Sequence, residues 1–449
     1  MADEIIEETL SIERMSYGAD AIAHRADGKA VFVEGAAPGE VVRAAITEDK
    51  PSFSRARVIE VVSPSPARVR PHCAGGASCG GCPWQHLSYE AQLAAKREAV
   101  AGALVHTARF PSEAAEALVA PCAPSKREWG YRNKLELGAK TDGRGVFQLG
   151  FFREGTHDIA TPDACPLAHD AIAKAPRALR GALRYVQGAG DLGIFRVGVR
   201  HSLRTRDLEV ALWTSPGSFP RAAVAKTLAS ALKATSIVRV LADPGKPRKV
   251  KGTEVLVGKG MWEEKLADAR FMTSAPSFFQ VNTAQAEVLV DAVLEGLALG
   301  EGSLVADLYA GGGTFSVPLA LAGHDVIAVE SAGSSVRDLR RNADANGVDI
   351  EVVGGDAARE LPELGELDAL VVDPPRAGLA DGVAESIAAA APARVAYVSC
   401  NPATWARDVA RLQDAGYSLV SARPVDMFPQ TYHVEIASIF ERKGGSAHV

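Results

Sequence analysis

From about Phe271 onward, short apolar runs alternate with stretches of helical periodicity. LVADLY (304–309), DVIAVE (325–330), IEVVGG (350–355), LDALVVD (367–373) and RVAYVSC (394–400) read as strands, each followed by a helix. That regular alternation predicts a doubly wound α/β unit built on a parallel sheet. Residues 5–62 show a different pattern. AIAH, AVFVEG, EVVRAAI and SRARVIEVV are separated by turn signals such as Asp27-Gly28 and Pro38-Gly39. They predict a small β-barrel of the oligonucleotide-binding kind, or a β-rich appendage with no ligand. Pro64, Pro66 and Pro71 mark a linker into a cysteine-rich segment, PHCAGGASCGGCPWQH, that turns helical near Ser88. Between residues 125 and 270, strand-like GYRNKLELGA, FQLGFFR, FRVGVRHS and LEVALWT mix with the amphipathic stretches AIAKAPRALRGALRYV and RAAVAKTLASALKA, an α+β pattern. Three units are expected, spanning residues 1–63, 64–270 and 271–449.

Composition narrows the class more than the function. A chain of 449 residues exceeds one ordinary core. Its 47% hydrophobic and 23% charged content is that of a soluble globular protein. No uncharged stretch reaches the ~18 residues of a membrane span, and MADEIIEETL lacks the basic flank and apolar core of a secretory signal, so a cytoplasmic location with no membrane partner is expected. The net charge of -6 and pI near 6.0 argue against a generic nucleic-acid binder but leave room for a local basic face. The stretch KPRKVKGTE (246–254) is a candidate phosphate contact or a solvated hairpin.

Candidate chemistry gathers at the carboxyl ends of the C-terminal strands, where ligands bind in such folds. LVADLY leads into AGGGTFS, and glycines 311 to 313 let the backbone approach a ligand closely. The next run ends in Glu330, 23 residues beyond Asp307, where an acid suits ribose hydroxyls. The dinucleotide pattern is broken by Ser316, so adenosylmethionine is favoured over a nicotinamide cofactor; the alternative is a tight turn with no ligand. The fourth run ends in Asp373-Pro374-Pro375-Arg376 and the fifth in Ser399-Cys400-Asn401-Pro402, while Pro429–Glu435 brings a carboxylate toward the same edge. Uracil C5 is a poor nucleophile until a thiolate adds to C6, after which a base must remove the C5 proton. Cys400 and Glu435 are the candidates for those two roles. Arg376 stands where amino-group methyltransferases carry an aromatic residue, which counts against N-methylation.

These stretches, SFFQVN (277–282), DLYAGGGTF (307–315), VVDPPRAG (371–378), VSCNP (398–402) and PQTYHVE (429–435), resemble those of the bacterial tRNA and 23S rRNA 5-methyluridine methyltransferases. The resemblance spans essentially the whole chain. It implies a Rossmann-like class I methyltransferase domain preceded by an OB-like TRAM barrel and an α+β central domain. It further implies that Gln280, Tyr309, Glu330 and Asp373 contact S-adenosylmethionine, that Asp356 lies near the adenine, that Cys400 is the nucleophile and that Glu435 is the base. The glycine loop of the family usually begins Cys-Gly-x-Gly; Ala310 replaces that cysteine here, leaving Cys400 unrivalled.

Cys73-x5-Cys79-x2-Cys82, with Cys165 distant, suits a tetrahedral zinc or a [4Fe–4S] cluster, and His72 and His86 keep a mixed zinc site open. Cys122 has no partner motif. The resemblance to the rRNA enzymes favours the [4Fe–4S] cluster, in a structural role that clamps the linker to the central unit. RNA is the expected partner, 23S rRNA favoured and tRNA possible, with the chain acting as a monomer and Arg55, Arg57, Arg68 and Arg70 as candidate contacts. The rivals are a tRNA T-loop enzyme, a methyltransferase for cytosine C5 or a nucleobase amine, and a non-catalytic RNA-binding iron–sulfur protein with a relic fold.

Overall fold

The computed structural model describes residues 6–73, 79–143, 145–153, 155–188, 190–247 and 249–444. Residues 1–5 of the acidic start, 74–78 of the cysteine-rich segment and Arg248 of the basic stretch lie outside the described residues.

Near the N-terminus, strands Glu7–Ser11, Arg14–Met15, Ala21–His24, Ala30–Glu34, Val41–Asp49 and Phe53–Ser63 form one six-stranded sheet. Its alternating positions bury Leu10, Val31, Val33, Val42 and Ala44, and Trp84 and Leu87 from the following segment complete that core. Of the four candidate RNA-contacting arginines, Arg68 is used internally: its guanidinium grips the buried carboxylate of Glu40 and the carbonyl of Gly35. Arg55 pairs with Asp20 at 2.9 Å. Arg57 and Arg70 are exposed and carry no ion pair among the described residues.

A seven-stranded sheet occupies the middle of the chain, with Leu208–Thr214, Ile194–His201 and Lys134–Thr141 inside it. The amphipathic stretch expected as one helix from Ala171 is two, Asp170–Ala173 and Ala175–Gln187. Pro176 sits in the first turn of the second, where its missing N–H costs nothing but where a continuous helix could not pass. The strand expected across GYRNKLELGA begins only at Lys134. Gly130 and Arg132 donate instead to Pro166 and Leu167, and Asn133 to Val281.

The C-terminal sheet runs β1 (Leu304–Leu308), β2 (Asp325–Glu330), β3 (Glu351–Gly354), β4 (Ala369–Val372), β5 (Arg394–Ser399), β6 (Tyr417–Val425) and β7 (Glu435–Arg442). The spatial order is β3-β2-β1-β4-β5-β7-β6. The first five strands are parallel, and β7 lies antiparallel between β5 and β6. Apolar clusters cover both faces, one around Leu308, Leu370, Tyr397 and Trp405, the other around Phe271, Leu289, Val305 and Val398. The first cluster also takes Val100, Leu104, Ala115 and Val119 from helices Tyr89–His106 and Ser112–Leu118 and the residues after them. Val119 and Ala123 bridge to Ala422 and Val425, covering the β6 edge. The hairpin Trp262–Leu266/Ala269–Thr273 packs Trp262 and Phe271 into the second cluster. Segments 89–123 and 262–270, expected with the central unit, thus share the core of the C-terminal sheet.

Candidate active site

The glycine loop after β1 shows why those residue types are needed. Gly313 has φ +93°, and a Cβ there would lie 2.5 Å from Leu339 Cδ1, so the loop packs on the next helix only without a side chain. Gly311, at φ +58°, faces open space: nothing lies within 4 Å of where its Cβ would be. Its N–H donates to Glu330 Oε2 at 2.8 Å, and Ala332 N–H donates to Oε1 at 2.6 Å. The Glu330 carboxylate is therefore fixed beside the loop mouth at the end of β2. Tyr309 occupies the left-handed region at φ +64°, uncommon for a residue with a side chain and enriched at functional sites. Asp356 caps the helix Ala357–Glu360 and lies within electrostatic reach of the Tyr309 phenol. The Gln280 carbonyl accepts from Asn133 Nδ2 at 2.8 Å, which ties this residue to the central sheet. The loop thus offers space, a fixed acid and exposed backbone at the carboxyl end of the sheet, the features an adenosylmethionine site requires.

At the ends of β4 and β5 the charges converge. Burial, followed by the neighbouring Glu435 and Asp373 carboxyls, pushes the half-buried Cys400 thiol up to about 11, and the Arg376 guanidinium opposes them. Burial and the nearby Asp307 carry Asp373 up to about 7. Glu435, at the first position of β7 and 5% exposed, is raised well above the usual carboxylate range by burial and by Asp373. A thiol and a strongly proton-binding carboxyl thus stand within electrostatic reach of each other at the carboxyl ends of the sheet. Asp307 is buried with Oδ2 held by Ser316 Oγ at 2.5 Å and Oδ1 without a partner.

The loop carrying Phe428 to Val434 is pinned from outside the sheet. Lys96 and Asp426, both fully buried, form an ion pair, and Lys96 Nζ also donates to Phe428 O at 3.1 Å. Breaking either partner would strand a buried charge, a cost of roughly 3–5 kcal/mol. Tyr89 donates to Asp426 at 2.8 Å and Tyr131 to Pro429 O at 3.1 Å. Gln430, at φ +70°, is held by paired hydrogen bonds with Gln92. Sequence reasoning missed these supports, and it also missed four residues at the site. Tyr17 donates to the Cys400 carbonyl at 3.2 Å from the N-terminal barrel. His433, held down to about 4 chiefly by burial, is neutral at physiological pH and lies 4.3 Å from the Tyr432 ring. Phe278 is 66% exposed beside Gln280. Phe278 carried a sequence signal through its place in SFFQVN, as did Tyr432 and His433 through theirs in PQTYHVE; Tyr17 carried none.

In the cysteine-rich segment, Cys82 is pushed up to about 12 by burial and then by Cys165, with Arg132 opposing and Cys79 and Cys73 adding to the rise. Cys82 is therefore within electrostatic reach of the other three thiols. Among the described residues no three His, Cys, Asp or Glu side chains stand in metal-holding geometry. The histidines once open as ligands have other partners: His86 is buried against Ala36 O at 3.0 Å, and His72 stacks on Trp129 with ring centres 4.7 Å apart. Cys122 is buried near the Asp426–Lys96 pair. No helix among the described residues is long and apolar enough to cross a membrane.

Comparison with known proteins bears on this geometry. The family described as tRNA (Uracil-5-)-methyltransferase matches residues 224–443, and the TRAM domain matches residues 7–59. An uncharacterized RNA methyltransferase of Gloeobacter violaceus is 36% identical, over 97% of this chain and 96% of its own. One from Halalkalibacterium halodurans is 33% identical over 98% of each chain. Among solved structures, the Pyrococcus abyssi tRNA (uracil-54, C5)-methyltransferase in complex with S-adenosyl-L-homocysteine superposes with a TM-score of 0.73 at 27% identity, covering 96% of this chain and 99% of that one.

Proposed function

The chain belongs to the S-adenosylmethionine-dependent RNA (uracil-5-)-methyltransferase family, with an N-terminal TRAM domain, and from that premise we propose that it methylates C5 of one uridine in RNA, 23S rRNA before tRNA, through a covalent adduct on Cys400. The observation that carries this reading is the meeting of Cys400, Glu435, Asp373 and Arg376 beside the glycine loop.

Cys400 Sγ, as thiolate, bonds to C6 of the uracil, and the electron pair of the C5–C6 double bond moves onto the C4 carbonyl oxygen. When bound, S-adenosylmethionine supplies the electrophilic methyl group that C5 takes. Glu435 then removes the C5 proton, the C5–C6 double bond re-forms, and the C6–S bond breaks to release Cys400 as thiolate. Burial suits Glu435 to this task, because a carboxylate held in an apolar wall binds protons avidly. Arg376 favours the thiolate. Gln280, Tyr309, Glu330 and Asp373 hold the methyl donor, with Asp356 toward the adenine. A paired uridine hides C6 in the stack, so the target is flipped or lies in a loop, and the exposed Phe278 ring is a surface on which a displaced base stacks.

The test is incubation with labelled S-adenosylmethionine and unmodified 23S rRNA or tRNA, followed by nucleoside analysis, with Cys400→Ala in parallel. Labelled 5-methyluridine that falls by roughly 10⁴-fold or more in the mutant is expected. Another labelled base, or full activity in the mutant, overturns the reading. Label on tRNA alone moves the substrate to the T-loop.

Cys73, Cys79, Cys82 and Cys165 are proposed to hold a [4Fe–4S] cluster with a structural role, since methyl transfer moves no electrons. The electrostatic contact of Cys82 with Cys165, Cys79 and Cys73 beside Arg132 supports this donor set, whose side chains a bound cluster would have to draw together, since no three of them stand in metal-holding geometry among the described residues. Zinc in place of iron and sulfide on elemental analysis would replace that assignment.

A further inference from the structure

The Tyr17 hydroxyl reaches Cys400 across 383 positions of sequence. Tyr17 stands in the turn between strands Arg14–Met15 and Ala21–His24, and that turn is fixed from several sides. Ser16 Oγ donates to Asp20 O at 2.6 Å, Asp20 pairs with Arg55 at 2.9 Å, and Trp84 Nε1 donates to Gly18 O at 2.9 Å. The Tyr17 ring meets Tyr432 edge-on, with centres 5.8 Å apart and planes at 84°. The packing is reciprocal. Tyr17 of the barrel lies against the apolar cluster of the C-terminal sheet, while Tyr432 of the site loop lies against the barrel's cluster, near Trp84. Burial, with Cys400, Glu435 and Tyr432 nearby, raises the Tyr17 phenol well above its ordinary value despite Arg376, so it is a donor at any physiological pH.

A barrel that only tethered RNA would have no need to touch the peptide of the nucleophile. We propose that Tyr17 is a positioning residue: its hydroxyl pins the Cys400 carbonyl and so aims the thiol, making the N-terminal barrel part of the catalytic chamber. The inference rests on the reading of Cys400 as nucleophile. Cys400 is the hinge between β5 and the helix Pro402–Asp414, whose first turn is capped by Asn401. Between these two elements, the peptide joining Cys400 to Asn401 is held by two long hydrogen bonds, from the Tyr17 hydroxyl to its carbonyl at 3.2 Å and from its N–H to Ser399 Oγ at 3.3 Å. Thiol addition needs Sγ within about 3–3.5 Å of C6 and in line with its π orbital, so a small rocking of the hinge slows reaction without changing how RNA binds.

Tyr17→Phe keeps the ring and its packing and removes only the hydroxyl. In the full-length protein it is expected to lower kcat about tenfold, with KM for RNA and for S-adenosylmethionine within about twofold of wild type and the unfolding midpoint unchanged. Adduct formation with 5-fluorouridine RNA, in which C5 carries no removable proton, should slow to the same extent. The second readout needs no RNA: alkylation of Cys400 by iodoacetamide, mapped by peptide mass, should be several-fold faster in Tyr17→Phe because the hinge is released. Wild-type kcat, a loss carried by KM alone, or an unchanged alkylation rate each overturns the proposal. If the wild-type protein methylates no uridine, the functional reading fails, and the alkylation comparison still decides whether Tyr17 positions Cys400.

Discussion

Two regions of this molecule gather thiols beside an arginine, and they use the pairing differently. At the ends of β4 and β5, Cys400 faces Arg376 together with the carboxyls of Glu435 and Asp373. In the cysteine-rich segment, Cys82 faces Arg132 together with three further thiols. Burial raises both thiols, to about 11 and about 12. Their neighbours separate the two roles. A thiol next to a proton-hungry carboxyl is equipped to lose and regain a proton within one reaction cycle. Thiols next to thiols cannot all ionise in an apolar setting unless a cation is bound among them, which is the situation of a ligand set. The first arrangement sits on a parallel sheet that fixes directions; the second sits on irregular segments that a bound group would fix.

Three experiments sharpen or break this contrast. The largest effect is expected from Glu435→Gln, which keeps the shape of the side chain and removes its basicity. Turnover should fall roughly 10²–10⁴-fold, and a methylated protein–RNA adduct should accumulate on denaturing gels. Turnover at the wild-type rate would assign the C5 proton to another group.

The next largest is the response to pH. With the Cys400 thiol at about 11, the protonated form dominates at pH 7, and the thiolate fraction grows tenfold per pH unit. Raised proton affinity at Glu435 acts in the same sense, since the base form also gains as pH rises. From pH 7 to 9, kcat/KM should therefore climb by roughly a hundredfold and fall correspondingly toward acid. A flat profile over that range would mean that a thiolate in equilibrium with solvent is not the attacking species.

The smallest effect is in the other region. Cys82→Ala should strip iron from the purified protein and lower the unfolding midpoint by roughly 5 °C or more. An unchanged metal content and midpoint would remove the cysteines from any structural role.

The sequence made the five parallel strands of the C-terminal sheet legible because each is a short, largely apolar run followed by a helix, and the doubly wound rule then placed Asp373, Cys400 and the glycine loop on one edge; β6 and the antiparallel β7 were not read as strands. The N-terminal strands were legible through their turn residues. Partnership could not be read. Nothing in the periodicity of residues 89–123 says which of two sheets they cover, since an apolar helix face fits either. The break at Lys174 needed the knowledge that Pro176 starts a helix rather than kinks one. Arg68 reads as a surface cation until its chain-distant partner Glu40 is known. Lys96, Gln92 and Tyr17 act on the site through contacts about 330 positions away or more. No local pattern encodes such pairs.

The place of β7 has a consequence for how the protein comes into being. Although β7 follows β6 in the chain, it is threaded between β5 and β6. On the ribosome, strands β1 to β5 can pair as they emerge, but β6 has no seat until residues 435–442 have left the exit tunnel. A nascent chain is therefore without the Glu435 carboxyl and without a closed sheet until almost all of the described sequence has been made. Until then the β5 edge is open, and a bound chaperone or a neighbouring nascent chain would compete for it.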